Sequence, residues 1–247
     1  MSIASIEYYT LTLVVHTAIF KMNFSIKPHT YMNIKIWSDI ACPFCYIGKK
    51  HLEIAAEKVS KDLQLDVEWM SFQLDPNAAE STDKSIYELL AQKYGHDLEW
   101  AHNMNDNMVQ MGEKVGLEFD MNALQPTNTL KAHLLLHEAK GLGKQTELKD
   151  LLFEAYFVKG QNISEEAVLI SLAEEVGINA DRAKEVVEGK VHAQEVQDDI
   201  LLAQRYGIQG VPFFIINDKY ALSGAQPVEA FEQALTKVLE EQQEASV

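Results

Sequence analysis

The chain has 247 residues, of which 47% are hydrophobic and 23% charged, an ordinary globular mixture with enough apolar material for a sizeable core. Its formal net charge of −16 argues against nucleic acid and against an anionic membrane surface as partners, since both would repel it. No run approaches the roughly 20 apolar residues that a membrane-spanning helix requires.

The first 31 residues differ in character from the rest. The stretch from Tyr8 to Phe20 is apolar, but Glu7 precedes it, no Lys or Arg does, and no small-residue cleavage site follows. A secretory signal needs a positively charged start and such a site. We therefore favour a leader over 1–31 that is poorly ordered or a misassigned start, with a degenerate targeting signal as the alternative, and we expect a cytoplasmic protein.

Residues 32–80 predict a strand, a helix and a second strand. Asn33 to Trp37 alternates and is rich in isoleucine, as a strand is. Apolar residues then recur at helical spacing from Pro43 to about Ser60. Residues 64–72 alternate again and predict the second strand. A strand, helix and strand of this length form a βαβ unit with a parallel strand pair.

A long helical region follows, with only turn signals between its segments. The predicted helices are 85–94, 98–115, 127–140, 145–158, 165–176, 181–188 and 192–206. We predict Ser164 as the N-cap of the fifth of these. Gly141, Gly160 and Gly177 are predicted to end helices in the left-handed conformation.

The β pattern returns at Pro212 to Ile216. Asn217-Asp218 predicts a two-residue turn, so residues 219–222 should pair back as a hairpin. Pro227 then begins a final amphipathic helix through Leu239, and the polar tail 240–247 is expected to fray.

Together these elements predict an α/β protein with a thioredoxin-like fold. The thioredoxin-like domain comprises 32–80, the βαβ half, and 207–247, the ββα half. A large all-helical insertion, 81–206, separates the two halves in the sequence.

Cys42 and Cys45 are the only cysteines in the chain, and they flank Pro43-Phe44 at the start of the first predicted helix. A C-x-x-C between a strand and a helix is typical of a redox dithiol. The helix N-terminus favours thiolate on Cys42, the predicted nucleophile, whereas Cys45 should be buried with a higher pKa and resolve the mixed disulfide. Half of a zinc site is the alternative, but zinc takes about four ligands and no second C-x-x-C exists.

The surroundings of the cysteines favour a moderate reduction potential. Pro43 and Phe44 place no histidine beside the thiolate, and Asp39 opposes the ionisation of Cys42. We therefore predict a potential well below the strongly oxidising value of about −120 mV.

Val211-Pro212 is predicted to form a cis-proline loop opposite Cys42. The Val211 backbone could then pair with an extended substrate peptide or with glutathione. Pro212 has no N–H and offers the thiols no competing ligand. A proline that merely begins a strand is the alternative.

Two other features carry weaker hypotheses. His133 and His137 lie four apart on one predicted helix, but the helix has no further metal-binding pattern. Met104, Met108 and Met111 share a helix face and could line a substrate groove, although core packing is the favoured interpretation.

Three ordered motifs resemble those of the DsbA-like thioredoxin superfamily, and specifically its FrnE-type branch. They are Ser38 to Gly48, which reads SDIACPFCYIG; Asn128-Thr129 with Ala132-His133; and Gly210 to Asn217 with Ser223 to Gln226. The resemblance covers about 32–239. One departure is Phe44, where branch members commonly carry tryptophan.

The resemblance implies a protein disulfide oxidoreductase with Cys42, Cys45 and Pro212 in the catalytic centre. It also implies that the helix with Asn128 and His133 lies over that centre. The candidate substrate-binding residues are Val211, Pro43, Phe44, Asn128 and His133. The expected partners are thiols or disulfides of proteins or glutathione. No tightly bound cofactor and no metal are expected, and the oligomeric state stays open.

Two other function classes remain in view. The 2-hydroxychromene-2-carboxylate isomerases and kappa-class glutathione transferases are similar in architecture, but they typically have serine where Cys42 stands. A glutathione-dependent isomerase or transferase is therefore the alternative function. A binding module without catalysis would leave the paired thiols without a purpose.

Overall fold

The computed structural model describes residues 30–245, and every structural statement below refers to them. The elements in chain order are β1 Thr30–Ser38, α1 Pro43–Val59, β2 Leu63–Ser71, α2 Ile86–Tyr94, α3 Leu98–Glu113, α4 Leu130–Gly141, α5 Gln145–Phe157, α6 Glu166–Glu175, α7 Ala180–Gly189, α8 Ala193–Arg205, β3 Phe213–Ile216, β4 Tyr220–Ser223 and α9 Val228–Glu244. The predicted fold class, an α/β thioredoxin-like fold with a helical insertion, is confirmed.

The four strands form one mixed sheet in the order β2-β1-β3-β4. β1 pairs in parallel with β2 and antiparallel with β3, and β3 and β4 form a hairpin. Asn217 and Asp218, both at positive φ, make the predicted tight turn. The Asn33 backbone N–H also donates to Asn217 Oδ1 at 2.8 Å, which ties this turn to β1.

Alternation along β1 separates the two faces of the sheet. Met32, Ile34 and Ile36 are at most 1% exposed and pack under α1 and α9. Trp37 points to the other face, where its ring Nε1–H donates to the Asp199 carbonyl oxygen of α8 at 3.0 Å. The sheet is therefore covered on both sides, as parallel strands require.

The insertion has a separate core. Its buried residues include Leu135, Leu152, Phe153 and Leu169, and the same cluster contains both cysteines. The dithiol, although carried by α1, is thus packed against the insertion and not within the core of the sheet.

Several predicted boundaries are wrong by a few residues. β1 begins at Thr30, three residues before Asn33, because residues 30–32 continue the pairing with β2. The rest of the predicted leader, 1–29, lies outside the described residues. α9 continues to Glu244 where fraying was predicted, because Glu241 pairs with Lys219 of the hairpin at 2.7 Å.

Two capping predictions also need correction. Glu165, not Ser164, is the N-cap of α6, because the Ser164 hydroxyl donates to the Asn128 carbonyl at 2.6 Å. Gly160 and Gly177 have positive φ as predicted, but Gly141 is the last helical residue of α4 and Gly143 takes the left-handed conformation. Within residues 30–245, no helix is both long and apolar enough to cross a membrane.

Candidate active site

The two cysteines lie at the N-terminal end of α1, where the chain turns out of β1. Cys42 is the N-cap residue and its side chain makes no capping hydrogen bond, while Pro43 occupies the first turn. Both cysteines are free thiols, and Cys42 and Cys45 are 3% and 1% exposed. The structure therefore holds a reduced, almost fully buried dithiol.

The loop opposite Cys42 is formed by Val211 and Pro212. The peptide bond between them is cis, which confirms that prediction. The Cys42 thiol donates to the Val211 carbonyl oxygen, with a sulfur–oxygen distance of 3.5 Å. The cis-proline loop also packs closely against α1 at Gly48. A Cβ added to Gly48 would lie 3.1 Å from the Pro212 and Phe214 side chains, so only glycine leaves room for this contact without a shift.

Each of the two thiols affects the pKa of the other. A hydrogen bond with Cys45 raises the pKa of Cys42 well above its ordinary value, and burial and the Asp39 charge act in the same direction. Burial also opposes ionisation of Cys45, but the neighbouring Cys42 thiol, the Ser38 hydroxyl and the Lys149 charge lower its pKa. Folding brings these groups to the dithiol, and they add to the effect of the helix terminus.

Asp39 is a buried carboxylate beside the dithiol. It accepts the Leu74 backbone N–H at 2.8 Å, and Nε2 of the buried His133 lies 3.4 Å away. Burial raises the pKa of Asp39, but His133 and the Leu74 N–H reverse this and leave it below its ordinary value. Burial also lowers the pKa of His133, so a neutral imidazole faces an ionised Asp39 near pH 7.

Lys149 of α5 is the cation of this site. It is fully buried, and its ammonium lies 4.8 Å from the Phe153 ring centre and 5.3 Å from that of Trp69. Burial lowers the pKa of Lys149 to about 8, and Cys45 is the strongest of the acidic groups that oppose this shift. No motif in the sequence pointed to Lys149; it lies in an amphipathic helix like many other lysines.

An apolar cavity of about 330 Å³ opens beside Cys42. Its wall on the side of the insertion includes Ile86, Leu90, Met104, Met108 and Leu124. The only charged residue that lines it in the described structure is Lys93. Cavities of this size and character commonly bind small ligands or single side chains.

The cavity contains four of the predicted site residues. Cys42, Pro43, Phe44 and Val211 line it, and Phe44 is 40% exposed at its mouth. Cys45 does not line the cavity. Only Cys42 of the two sulfurs therefore faces the space where a substrate would lie.

Two further candidates lie outside this cavity. Asn128 donates to the carbonyls of Pro76 and Ala78 at 3.2 and 3.0 Å, and so holds the linker before α2 against the start of α4. His133 is buried against Asp39. Substrate binding by these two residues stays a prediction.

The histidine pair and the methionines of the weaker hypotheses do not act as groups in the structure. His137 contacts Ser71 and Asp199, a different partner set from that of His133. The described residues contain no group of three or more His, Cys, Asp and Glu side chains that could hold a metal ion. Met104 and Met108 line the cavity, as the groove hypothesis proposed, whereas Met111 does not.

Comparison with known proteins places this site in a family. The sequence matches the DSBA-like thioredoxin domain over residues 33–236. The chain belongs to the DsbA-like thioredoxin family. Thiol–disulfide oxidoreductase or isomerase chemistry is general in this family, and the spacing of Cys42 and Cys45 is compatible with it.

Individual relatives agree with this assignment. The chain is 32% identical to the uncharacterised protein YwbO of Bacillus subtilis, over 83% of this chain and 96% of the relative. The crystal structure of a probable DsbA oxidoreductase, SCO1869 of Streptomyces coelicolor, superposes with a TM-score of 0.80 at 34% identity, over 85% of this chain and 91% of that one. A 2-hydroxychromene-2-carboxylate isomerase shares the fold alone, with a TM-score of 0.62 at 12% identity, over 87% and 100% of the two chains.

Proposed function

We propose that this DsbA-like protein is a thiol–disulfide oxidoreductase in which Cys42 exchanges with the substrate and Cys45 resolves the mixed disulfide. The observation that carries the proposal is the position of the two sulfurs. Cys42 lines the cavity and faces the cis-proline loop, while Cys45 lies behind it in the core. An incoming disulfide can therefore meet one sulfur only.

The expected reaction is a two-step exchange. Cys42 attacks a sulfur of the substrate disulfide as its thiolate, and the first substrate sulfur leaves as a thiolate. Cys45 then attacks the Cys42 sulfur and releases the second substrate sulfur as a thiol. The dithiol is oxidised by two electrons and the substrate disulfide is reduced; the same steps in reverse oxidise a substrate dithiol.

The cavity supports substrates with an apolar group next to the reacting sulfur. Apolar side chains form most of its wall, and burying unpaired charges among them would be costly. Glutathione remains a candidate redox partner, and no tightly bound cofactor is proposed. A reducing compartment such as the cytoplasm suits a chain whose two cysteines both belong to the dithiol.

Substitution of each cysteine tests the proposal. We expect Cys42→Ser and Cys45→Ser each to lose at least about 10³-fold in insulin reduction or glutathione-disulfide exchange, because each step needs its own sulfur. Only Cys45→Ser should accumulate a mixed disulfide, detectable by mass spectrometry. The double variant serves as the background control.

The same variants distinguish the proposed oxidoreductase from the alternative, a glutathione-dependent isomerase. A glutathione-dependent isomerase needs no second thiol, so unchanged isomerisation of a chromene substrate by Cys42→Ser would contradict the oxidoreductase proposal. Retained disulfide exchange in Cys45→Ser would contradict the resolving role of that residue.

A further inference from the structure

A second cavity adjoins the cavity beside Cys42. Its volume is about 350 Å³, and it extends along the linker before α2, where Asp75 and Asn77 line it. The residues that line both cavities are Ala41, Leu74, Ile86, Leu90, Lys93 and Tyr156. A substrate bound beside Cys42 therefore has polar surroundings close to its apolar ones.

Lys93 is the only cation among the described residues that lines either cavity, and it lines both. It lies in the last turn of α2, and no carboxylate of the described residues forms an ion pair with it. The nearest printed contact of its ammonium is the Tyr94 ring, whose centre is 5.9 Å away. Lys58 and Lys131, by contrast, hold carboxylates at 2.7 and 2.8 Å. The charge of Lys93 is thus available to a ligand.

The acidic residues of the second cavity already have donors. Asp39, which is 1% exposed, accepts the Leu74 backbone N–H at 2.8 Å. Asp75 accepts the Asn77 backbone N–H at 3.0 Å within its own turn. No Asp or Glu of the described residues lines the cavity beside Cys42. An anionic group of a ligand is therefore favoured in that cavity, against Lys93.

Asn105 of α3 is a second polar group in the cavity beside Cys42. Its side chain is almost fully buried, with 3% of the residue exposed. Its Nδ2 donates to the Ala101 carbonyl at 2.8 Å, which fixes the orientation of the amide. The Oδ1 atom accepts no hydrogen bond from the described residues. Few polar groups in an otherwise apolar cavity are typical of a ligand site, where they orient the ligand. This acceptor suits a ligand N–H.

We propose that Lys93 selects disulfides whose reacting half carries a carboxylate, and that Asn105 accepts an N–H of the same half. This inference rests on the proposed function and specifies its substrate class: acidic thiol compounds with an amide, such as short acidic peptides that contain cysteine. Lys93 and Asn105 contact the substrate away from the sulfurs, so they determine specificity and take no part in the exchange itself. The apolar wall accommodates the carbon atoms next to the reacting sulfur.

Oxidation of the reduced protein by small disulfides of different charge tests the role of Lys93. The probes are dithiodipropionic acid, which is anionic, its neutral dimethyl ester, and the cationic cystamine. The second-order rate constant is measured as the loss of protein thiols in samples quenched with an alkylating reagent. We expect Lys93→Met to lower the ratio of the rate constants for the acid and the ester about three- to tenfold, because the carboxylate loses a charged partner. The ratio cancels the intrinsic reactivity of the dithiol.

Two further substitutions of Lys93 sharpen the test. Lys93→Arg keeps the charge and should retain most of the preference for the acid. Lys93→Glu reverses the charge and should shift the preference toward cystamine. Asn105→Leu should slow oxidation by the disulfide of mercaptopropionylglycine, which carries an amide and a carboxylate, more than oxidation by dithiodipropionic acid, which has no N–H.

Lys84→Met is the matched control for net charge. The chain has a formal net charge of −16, which repels every anionic probe at long range, and each lysine variant makes that charge more negative by the same amount. Lys84 lies just before α2, donates to Gln92 at 2.8 Å and lines neither cavity. Lys84→Met should therefore leave the acid-to-ester ratio unchanged.

The outcomes are distinct. An unchanged ratio in Lys93→Met, or an equal fall in Lys84→Met, would overturn the inference. Binding of the unreactive S-methyl thioether of mercaptopropionylglycine, followed by NMR titration, separates the site from the reaction. Binding that is weakened in Lys93→Met, in a protein that exchanges no disulfide, would support the carboxylate site and overturn the proposed function instead.

Discussion

The two cores of this protein contribute differently to one active site. The core of the sheet, under α1 and α9, is apolar and supports the strands that present Cys42 and the cis-proline loop. The core of the insertion surrounds the dithiol itself and brings His133 and Lys149 to it. The thioredoxin-like half thus carries the dithiol, whereas the insertion brings charged groups to it and walls the cavity. The insertion is therefore part of the candidate site.

Truncating one phenylalanine in each core gives the largest expected effect. Phe153 of α5 stacks on Tyr46 with ring centres 4.7 Å apart, and Phe231 of α9 meets Phe214 at 4.8 Å. Both are 0% exposed. We expect Phe153→Ala and Phe231→Ala each to cost about 3–5 kcal/mol in the free energy of unfolding, measured with denaturant.

Only one of these variants should change the chemistry. Phe153 lies beneath the Lys149 ammonium and against the residue after Cys45, so Phe153→Ala should raise the pKa of Cys45. Phe231→Ala should leave the Cys45 pKa unchanged, although it should cost as much stability as Phe153→Ala. Equal shifts of the Cys45 pKa in the two variants would show that the core of the insertion has no special effect on the dithiol.

The second prediction concerns the stability cost of the buried lysine. Burial lowers the pKa of Lys149 from 10.5 to about 8, so the folded protein disfavours the charged form. Below pH 8 both the folded and the unfolded chain carry the proton and the full cost is present; above 10.5 neither does. Lys149→Met should therefore raise the free energy of unfolding by about 1–3 kcal/mol at pH 7.

The pH dependence of stability tests whether the gain in Lys149→Met comes from removing the buried charge. The difference between Lys149→Met and the original chain should shrink as the pH rises from about 8 toward 10.5, in urea unfolding at each pH. A variant less stable than the original chain at pH 7 would mean that attraction to the thiolate outweighs the cost of burial.

The smallest effect is expected at the contact between α1 and the cis-proline loop. Gly48→Ala would place a methyl group 3.1 Å from Pro212, which must move by a few tenths of an ångström. We expect a stability loss of about 1–2 kcal/mol and a several-fold lower kcat/KM for disulfide exchange. Gly141→Ala in α4 is the matched control: its methyl group meets nothing within 4 Å, so it should be neutral or slightly stabilising. Unchanged exchange by Gly48→Ala would show that this contact does not position the loop.

Most of the secondary structure followed from local pattern. The alternation of Ile34 and Ile36, the Asn217-Asp218 turn and the helical periodicity of the insertion each depend on neighbours within one element. The boundaries that failed depend on distant partners. α9 is extended by the Glu241 contact with Lys219, and Ser164 is drawn from its capping position by Asn128.

The same distinction between local pattern and distant partners applies to the candidate site. Cys42, Cys45 and the cis Val211-Pro212 bond could be identified because each belongs to a short motif. The place of Lys149 beside the Trp69 and Phe153 rings could not, because Lys149 lies more than 100 positions after the dithiol in the sequence and nothing local marks it.

The sequence by itself determined the fold class, the dithiol and the loop opposite it, since periodicity, spacing and backbone restriction act over a few residues. Only the tertiary structure decided which charged groups surround the dithiol, which residues wall the cavity and where Asn128 and His133 lie. Those properties depend on burial and on electrostatic contacts between α1, α5 and the ends of the strands. Desolvation and Coulomb energy are set by three-dimensional surroundings, and no local pattern encodes them.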